Sequence, residues 1–146
     1  MKTKKLIYSL IFIGLISCKK DSTQNFEDLI CGEHYQFWQV IEKHNYKGNH
    51  KIYEYFDKTG KWLMFEKFHN EPIKIWDGGD VYFYNEYRVM SDTVISITKG
   101  SLYWINSLDY VNKTFTLEYV CDGDKIKKYI LPSNEDLKKL EKLLEK

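Results

Sequence analysis

Short aromatic and β-branched runs, separated by turn signals at intervals of roughly ten residues, limit most strongly how this chain can fold. The strands predicted from them cover positions 35–43, 51–57, 61–68, 73–76, 81–90, 93–99, 101–106, 114–121 and 125–131. No helical periodicity lies between them, so a parallel sheet with helical crossovers is not favoured. The spacing predicts an all-β fold, a small antiparallel up-and-down barrel of eight or nine strands.

Composition agrees with this fold class. The 146 residues contain twelve tyrosines, eight phenylalanines and four tryptophans, and no alanine, the best helix former. Basic and acidic side chains nearly balance, 22 against 21, whereas nucleic-acid binding requires a basic excess. We therefore expect one domain with no nucleic-acid partner.

The last fourteen positions, 133–146, change to a helical period. Ser133 followed by Asp136 fits a helix start in which the serine caps the first turn. The apolar stripe of this helix consists of Leu137, Leu140, Leu143 and Leu144. We predict a short amphipathic helix that packs on the barrel of its own chain, with docking to a partner helix as the alternative.

The N-terminus reads as a targeting segment. Lysines precede an apolar run over positions 6–16, which is too short for a membrane-spanning helix, since such a helix needs about 20 residues. The run ends in Leu15-Ile16-Ser17-Cys18, which resembles the lipobox of bacterial lipoproteins. The resemblance implies that residues 1–17 are a signal peptide, that Cys18 carries lipid, and that the mature protein is held on a membrane.

Residues 18–30 are expected to form the lipidated cysteine and a flexible tether, which precedes a barrel domain at 31–132. Lys19, directly after the cysteine, resembles the export signal of surface-exposed Bacteroidetes lipoproteins, with a plain solvated spacer as the alternative. The expected location is the bacterial cell envelope, on the outer membrane and facing outward if the export signal operates.

A lipobox, a short tether, Trp38 in the first strand, a strand meander and a terminal helix together resemble the lipocalin-like lipoproteins of Bacteroidetes. The late-barrel pattern of that group is matched by Tyr103, Ile105, Leu108, Phe115 and Leu117. The resemblance implies a lipocalin-like barrel in which Trp38 closes one end. It also implies a non-catalytic function, the binding of a small hydrophobic ligand.

With Cys18 lipidated, Cys31 and Cys121 remain as an even pair in an oxidising compartment. One precedes the first strand and the other ends a late strand, and barrel closure brings the first and last strands together. We predict a disulfide between them. The alternative is that both are buried as small apolar side chains.

The aromatic side chains are the remaining functional signal, because tyrosine and tryptophan combine apolar area with a polar group. We expect ligand contacts from Trp38, Phe65, Tyr84 and Trp104. The alternative function is a surface interaction module that binds glycan or a partner protein, including a host enzyme that it would inhibit.

Catalytic and metal-binding motifs are missing from the sequence. The four histidines lack HxxxH spacing, and neither CxxC nor Gly-x-Ser-x-Gly occurs. We therefore expect that the protein is not an enzyme and uses no metal or cofactor. We also expect a monomer.

Overall fold

The structure, a computed structural model, describes residues 22–42, 50–76, 86–98, 101–123 and 125–145. The elements of these segments are α1 (Ser22–Cys31), β1 (Tyr35–Glu42), β2 (His50–Asp57), β3 (Trp62–Phe68), β4 (Lys74–Ile75), β5 (Tyr87–Val89), β6 (Val94–Ile97), β7 (Ser101–Asp109), β8 (Thr114–Tyr119), β9 (Ile126–Ile130) and α2 (Asn134–Leu144). The predicted signal peptide (residues 1–17) and the cysteine that follows it, Cys18, lie outside the described residues.

The described strands form one antiparallel sheet of nine strands, in the order β4-β3-β2-β1-β9-β8-β7-β6-β5. Every neighbour in this order is also a neighbour in sequence, except that β1 pairs with β9. An isolated antiparallel bridge between Lys61 and Glu86 joins the start of β3 to the residue before β5. The sheet is therefore a curled half-barrel, and the predicted all-β fold with a C-terminal helix, consistent with a lipocalin-like architecture, is confirmed.

Both faces of the β1–β3 half of the sheet are buried. Successive side chains of a strand point to opposite faces, so in β2 Ile52 and Phe56 belong to a core on the concave face. Tyr53 and Tyr55 belong to a second apolar cluster on the convex face. The high aromatic content is thus used in two separate cores.

Helix α2 covers the convex face of the β1–β3 half of the sheet. Ser133 caps it by accepting a hydrogen bond from the Asp136 amide at 3.2 Å, as the sequence predicts. Leu140 is fully buried against the sheet. The convex cluster contains Phe37, Tyr53, Tyr55, Leu63, Phe65, Ile73 and Leu140, with Leu137, Leu143 and Leu144 packed against it. Packing of the predicted helix on its own chain is confirmed.

Asp136, at the start of α2, fastens the helix to the sheet. Its carboxylate accepts hydrogen bonds from Lys51 at 3.0 Å, Tyr53 at 2.8 Å and Lys67 at 2.8 Å. Burial opposes its ionisation, but these hydrogen bonds outweigh burial and hold the pKa of Asp136 well below its usual range. The carboxylate is therefore charged, and it links α2 to β2 and β3.

The tether expected at residues 18–30 is wrong from Ser22 onward, because these residues form α1. Phe26, Leu29 and Ile30 are buried in the concave core. The indole N–H of Trp38 donates to the Ile30 carbonyl at 2.8 Å. The spacing i, i+3, i+4 of these three apolar residues is the amphipathic pattern of a helix, and burying them stabilises a segment whose polar residues suggested a spacer.

Two other boundaries differ from expectation. Of the strand predicted at 81–90, only Tyr87–Val89 is a described strand, and positions 81–85 lie outside the described residues. The strand predicted at 101–106 continues to Asp109 through a register shift between Ile105 and Ser107. This irregularity interrupts the alternation, which is why the sequence pattern ended early.

Candidate functional site

The concave face holds a buried aromatic core beside α1. Phe115 stacks on Tyr129 with 4.2 Å between ring centroids, and Trp38 meets Phe115 edge-on at 4.9 Å. Phe26 of α1 contacts the same Phe115 ring at 5.6 Å. These four side chains are almost wholly buried, so protein side chains occupy this part of the interior.

A buried carboxylate lies on the same face. Glu54 is inaccessible to solvent and accepts hydrogen bonds from Trp62 Nε1 at 2.9 Å, Tyr129 Oη at 3.1 Å and Lys127 Nζ at 2.9 Å. The Lys127 side chain is 18% exposed. Burying a charge is costly unless it is paired and hydrogen-bonded, and here both conditions are met.

Glu54 was not among the residues predicted from the sequence, although its place in the strand pattern marks it. It is the one charged residue in the run Ile52-Tyr53-Glu54-Tyr55-Phe56, and alternation places it on the face of Ile52 and Phe56. In β9, Lys127 and Tyr129 alternate in the same way onto the concave face. An acidic residue at an inward-facing position of an aromatic strand therefore predicts a hydrogen-bonding or cationic partner on a nearby strand, because burying an unpaired charge is costly.

The surface next to this carboxylate is partly exposed to solvent. Lys127 Nζ lies 5.4 Å from the ring centroid of Tyr103, whose ring contacts Tyr119 at 5.3 Å. Lys125 Nζ lies 5.8 Å from the Tyr119 ring. Both tyrosines are half-buried. We call Glu54, Tyr103, Tyr119, Lys125 and Lys127 the concave site.

The concave site combines an apolar surface with a few oriented charges. Its carboxylate already accepts from three donors, and its lysines lie over aromatic rings, where cation–π attraction favours them. Half-buried apolar side chains extend from the same core: Met64, Val89, Tyr103, Ile105 and Leu108. An apolar surface with a few oriented polar groups is the usual composition of a small-molecule pocket.

A second concavity lies between α1 and the β7–β8 turn. Its volume is about 240 Å³. Its lining residues are Asp28, Leu29, Gly32, Gln36, Tyr110 and Lys113. Small-molecule pockets usually measure ~300–1,000 Å³, so this one has room only for a small group.

The three described residues among the expected ligand residues do not converge. Trp38 is fully buried in the concave core, whereas Phe65 is fully buried in the convex cluster under α2. Trp104 points outward and is 43% exposed. Tyr84 lies outside the described residues. The strands β1, β3 and β7 thus present the three described residues to different surroundings, and the ligand contacts expected from them stay a prediction.

The predicted disulfide is also wrong, since Cys31 and Cys121 are both free. The register places Glu42, the last residue of β1, opposite Lys127. The β8–β9 turn, which carries the exposed Cys121, therefore lies beside the C-terminal end of β1. Cys31 precedes the N-terminal end of β1 and is buried. The fold does bring β1 beside the last strand, but that strand is β9, which follows Cys121 and runs antiparallel to β8.

Cys31 instead joins a hydrogen-bonded chain. Its Sγ lies 2.8 Å from Tyr87 Oη, and that phenol donates to the Asp57 carbonyl at 2.8 Å. The phenol proton is therefore used, and the thiol donates to Tyr87. Burial raises the pKa of the Cys31 thiol to about 11, so the thiol stays protonated at neutral pH.

In the described segments, no group of three or more His, Cys, Asp or Glu side chains is arranged to hold a metal ion. Neither described helix combines the length and the apolar character that crossing a membrane demands.

Comparison of the chain with models of protein families, with curated proteins and with solved structures gave no significant match.

Proposed function

We propose that this chain is a lipid-anchored, non-catalytic binding protein of the bacterial cell envelope, which holds a small hydrophobic ligand on the concave face of its sheet. The observation that carries the proposal is the concave site, where the buried Glu54, paired with the partly exposed Lys127, adjoins half-buried aromatic rings. The lipocalin-like curvature of the sheet supplies the concavity.

The charged pair supports binding because stability alone does not require it. Desolvating two charges cancels much of their attraction, and apolar side chains of similar volume often stabilise a core equally well. Here the pair orients Lys127 toward Tyr103 at the edge of the buried core. An oriented cation beside an aromatic ring gives direction to an otherwise apolar surface.

The anchor is proposed from the lipobox at Leu15–Cys18 and its basic, apolar leader. Two or more acyl chains give stable attachment, whereas a single chain binds only marginally. Incorporation of labelled fatty acid into the wild type, and its loss in Cys18→Ala, is the expected result. Equal labelling of the two proteins would exclude the lipobox assignment.

Ligand binding is tested with the intact protein and an apolar fluorescent probe such as phenylnaphthylamine. Val89 is half-buried on the concave side, and its neighbour Arg88 is exposed on the opposite face. Val89→Phe should fill the concave surface and abolish the increase in probe fluorescence. Arg88→Phe is the matched control and should leave it unchanged.

Failure of the wild-type protein to bind the probe or any member of a lipid panel would refute the proposal. Equal loss in Val89→Phe and Arg88→Phe would also refute it, since the probe would then not bind the concave face.

One observation favours the alternative interaction module. Helix α2 covers the convex face of β1–β3, but on β7 Leu102 and Trp104 are 38% and 43% exposed on that face. The Val120 amide donates to the Leu102 carbonyl, and Val120 itself is 37% exposed. Tryptophan is enriched at binding hot spots. A glycan array and a host-protein pull-down with Trp104→Ser as control would detect such a partner, and silence in both would exclude this function.

A further inference from the structure

The first helix starts close to the proposed anchor. Only three residues separate Cys18 from Ser22, the first residue of α1. Four Cα–Cα steps of 3.8 Å span at most about 15 Å. If Cys18 carries lipid, covalent geometry therefore keeps the start of α1 near the membrane surface.

The β7–β8 turn lies beside this helix. Phe26, one helical turn after Ser22, contacts the ring of Phe115 at the start of β8. Asp28 and Leu29 of α1 share a concavity with Tyr110 and Lys113 of the turn. Residues 110–113 therefore lie beside the second half of α1, and Asp28 is only about 9 Å along the helix axis from Ser22 at 1.5 Å per residue.

This turn presents apolar side chains to solvent in a fixed conformation. Val111 is 91% exposed and Tyr110 is 49% exposed. The Asp109 carboxylate accepts hydrogen bonds from the backbone amides of Val111 at 3.0 Å and Asn112 at 2.9 Å. It also accepts from the Asn112 side chain at 2.7 Å. The turn is therefore braced from within, and its exposed side chains are held outward.

We propose that the turn Tyr110–Lys113 contacts the lipid headgroup region of the membrane to which the protein is anchored. This inference rests on the lipid anchor of the proposed function. Tyrosine favours the boundary between apolar and aqueous phases. Val111 adds exposed apolar surface, and its transfer out of water into the membrane interface is favourable. Lys113 is exposed and carries a charge that anionic headgroups attract.

Two of the acids nearest the turn already have partners. Asp109 is occupied by its own turn, and Asp28 pairs with Lys58 at 3.3 Å. The acyl chains supply the affinity, and the turn supplies an orientation in which α1 and the β7–β8 turn face the bilayer. The β8–β9 turn then faces away, because β8 separates the two turns by about 20 Å.

The native cysteines allow a matched labelling experiment on the full-length acylated protein. Cys121 is exposed in the far turn, whereas Cys31 is buried. One sample carries an environment-sensitive nitrobenzoxadiazole label on Cys121. The other carries it at position 111 in Val111→Cys, Cys121→Ser. Because Val111 is almost fully exposed, the substitution leaves the fold intact.

Both samples are reconstituted in vesicles of phosphatidylethanolamine and phosphatidylglycerol with headgroup-proximal spin-labelled lipid. At position 111 we expect a blue-shifted emission and strong quenching, and at Cys121 neither. Equal quenching at both positions, or quenching at Cys121 alone, would overturn the orientation while leaving the anchor intact. Failure of the protein to bind vesicles at all would refute the anchor and this inference together, without affecting the probe-binding test.

Discussion

Removing the charge of Asp136 tests whether one carboxylate holds α2 on the sheet. In Asp136→Asn the shape is kept, but the charge-assisted hydrogen bonds from Lys51 and Lys67 are lost or weakened. A hydrogen bond to a charged group contributes about 1.5–3 kcal/mol. The two lysine side chains are 44% and 21% exposed, so they regain water. We therefore expect the free energy of unfolding to fall by about 2–3 kcal/mol.

Exposure predicts the order of effects in this network. Lys51→Met removes the more exposed partner and should cost no more than about 1 kcal/mol, as surface ion pairs do. Lys67→Met removes the more buried partner and should cost more than Lys51→Met. Urea unfolding followed by intrinsic fluorescence measures all three variants.

The pH dependence gives the stricter test. The pKa of Asp136 is lowered in the folded state, so its contribution is present above the unfolded pKa of about 3.9. That contribution is lost as the pH falls toward the folded pKa. Between about pH 4 and the folded pKa, the stability of the wild type should fall by about 1.4 kcal/mol per pH unit more steeply than that of Asp136→Asn. Parallel stability curves from about pH 5 to about pH 3 would show that this carboxylate is not held ionised by its partners.

Three further predictions concern the cysteines, α2 and the β2–β3 turn. In a Cys18→Ala background, one thiol, Cys121, should react rapidly in the native protein and two should react after unfolding without reductant, because Cys31 is buried; zero thiols would restore the disulfide. Leu140→Ala should lower the free energy of unfolding by about 2–4 kcal/mol, because Leu140 is fully buried under α2; a change below about 0.5 kcal/mol would mean that α2 does not pack on the sheet. Gly60 has φ +87°, so Gly60→Ala should cost about 1–2 kcal/mol in urea unfolding; an unchanged midpoint would contradict the strained turn.

Most of the strand order could be predicted from the sequence. Alternating aromatic and β-branched residues mark β1, β2, β3 and β8 within one or two residues, because a half-buried strand repeats every two positions. The C-terminal helix followed from Ser133 and the leucine stripe for the same local reason. Turn signals such as Gly60 then require neighbouring strands to pair antiparallel.

Local sequence patterns did not predict features that depend on contacts between residues far apart in the chain. The polar start of α1 suggested a spacer, and only packing of Phe26 and Ile30 inside the curled sheet makes it a helix. Glu54 looked like an ordinary strand residue until Lys127 and Tyr129, two strands away in the sheet, were placed beside it.

The sequence by itself determined which residues alternate, where the chain turns, and that β1 meets the last strand. Only the tertiary structure decided which face each aromatic ring serves, that Cys31 and Cys121 lie apart, and that Glu54 is buried with a cation. The physical reason is that periodicity reports burial against some surface, whereas the curvature and register of the whole sheet determine which surface that is.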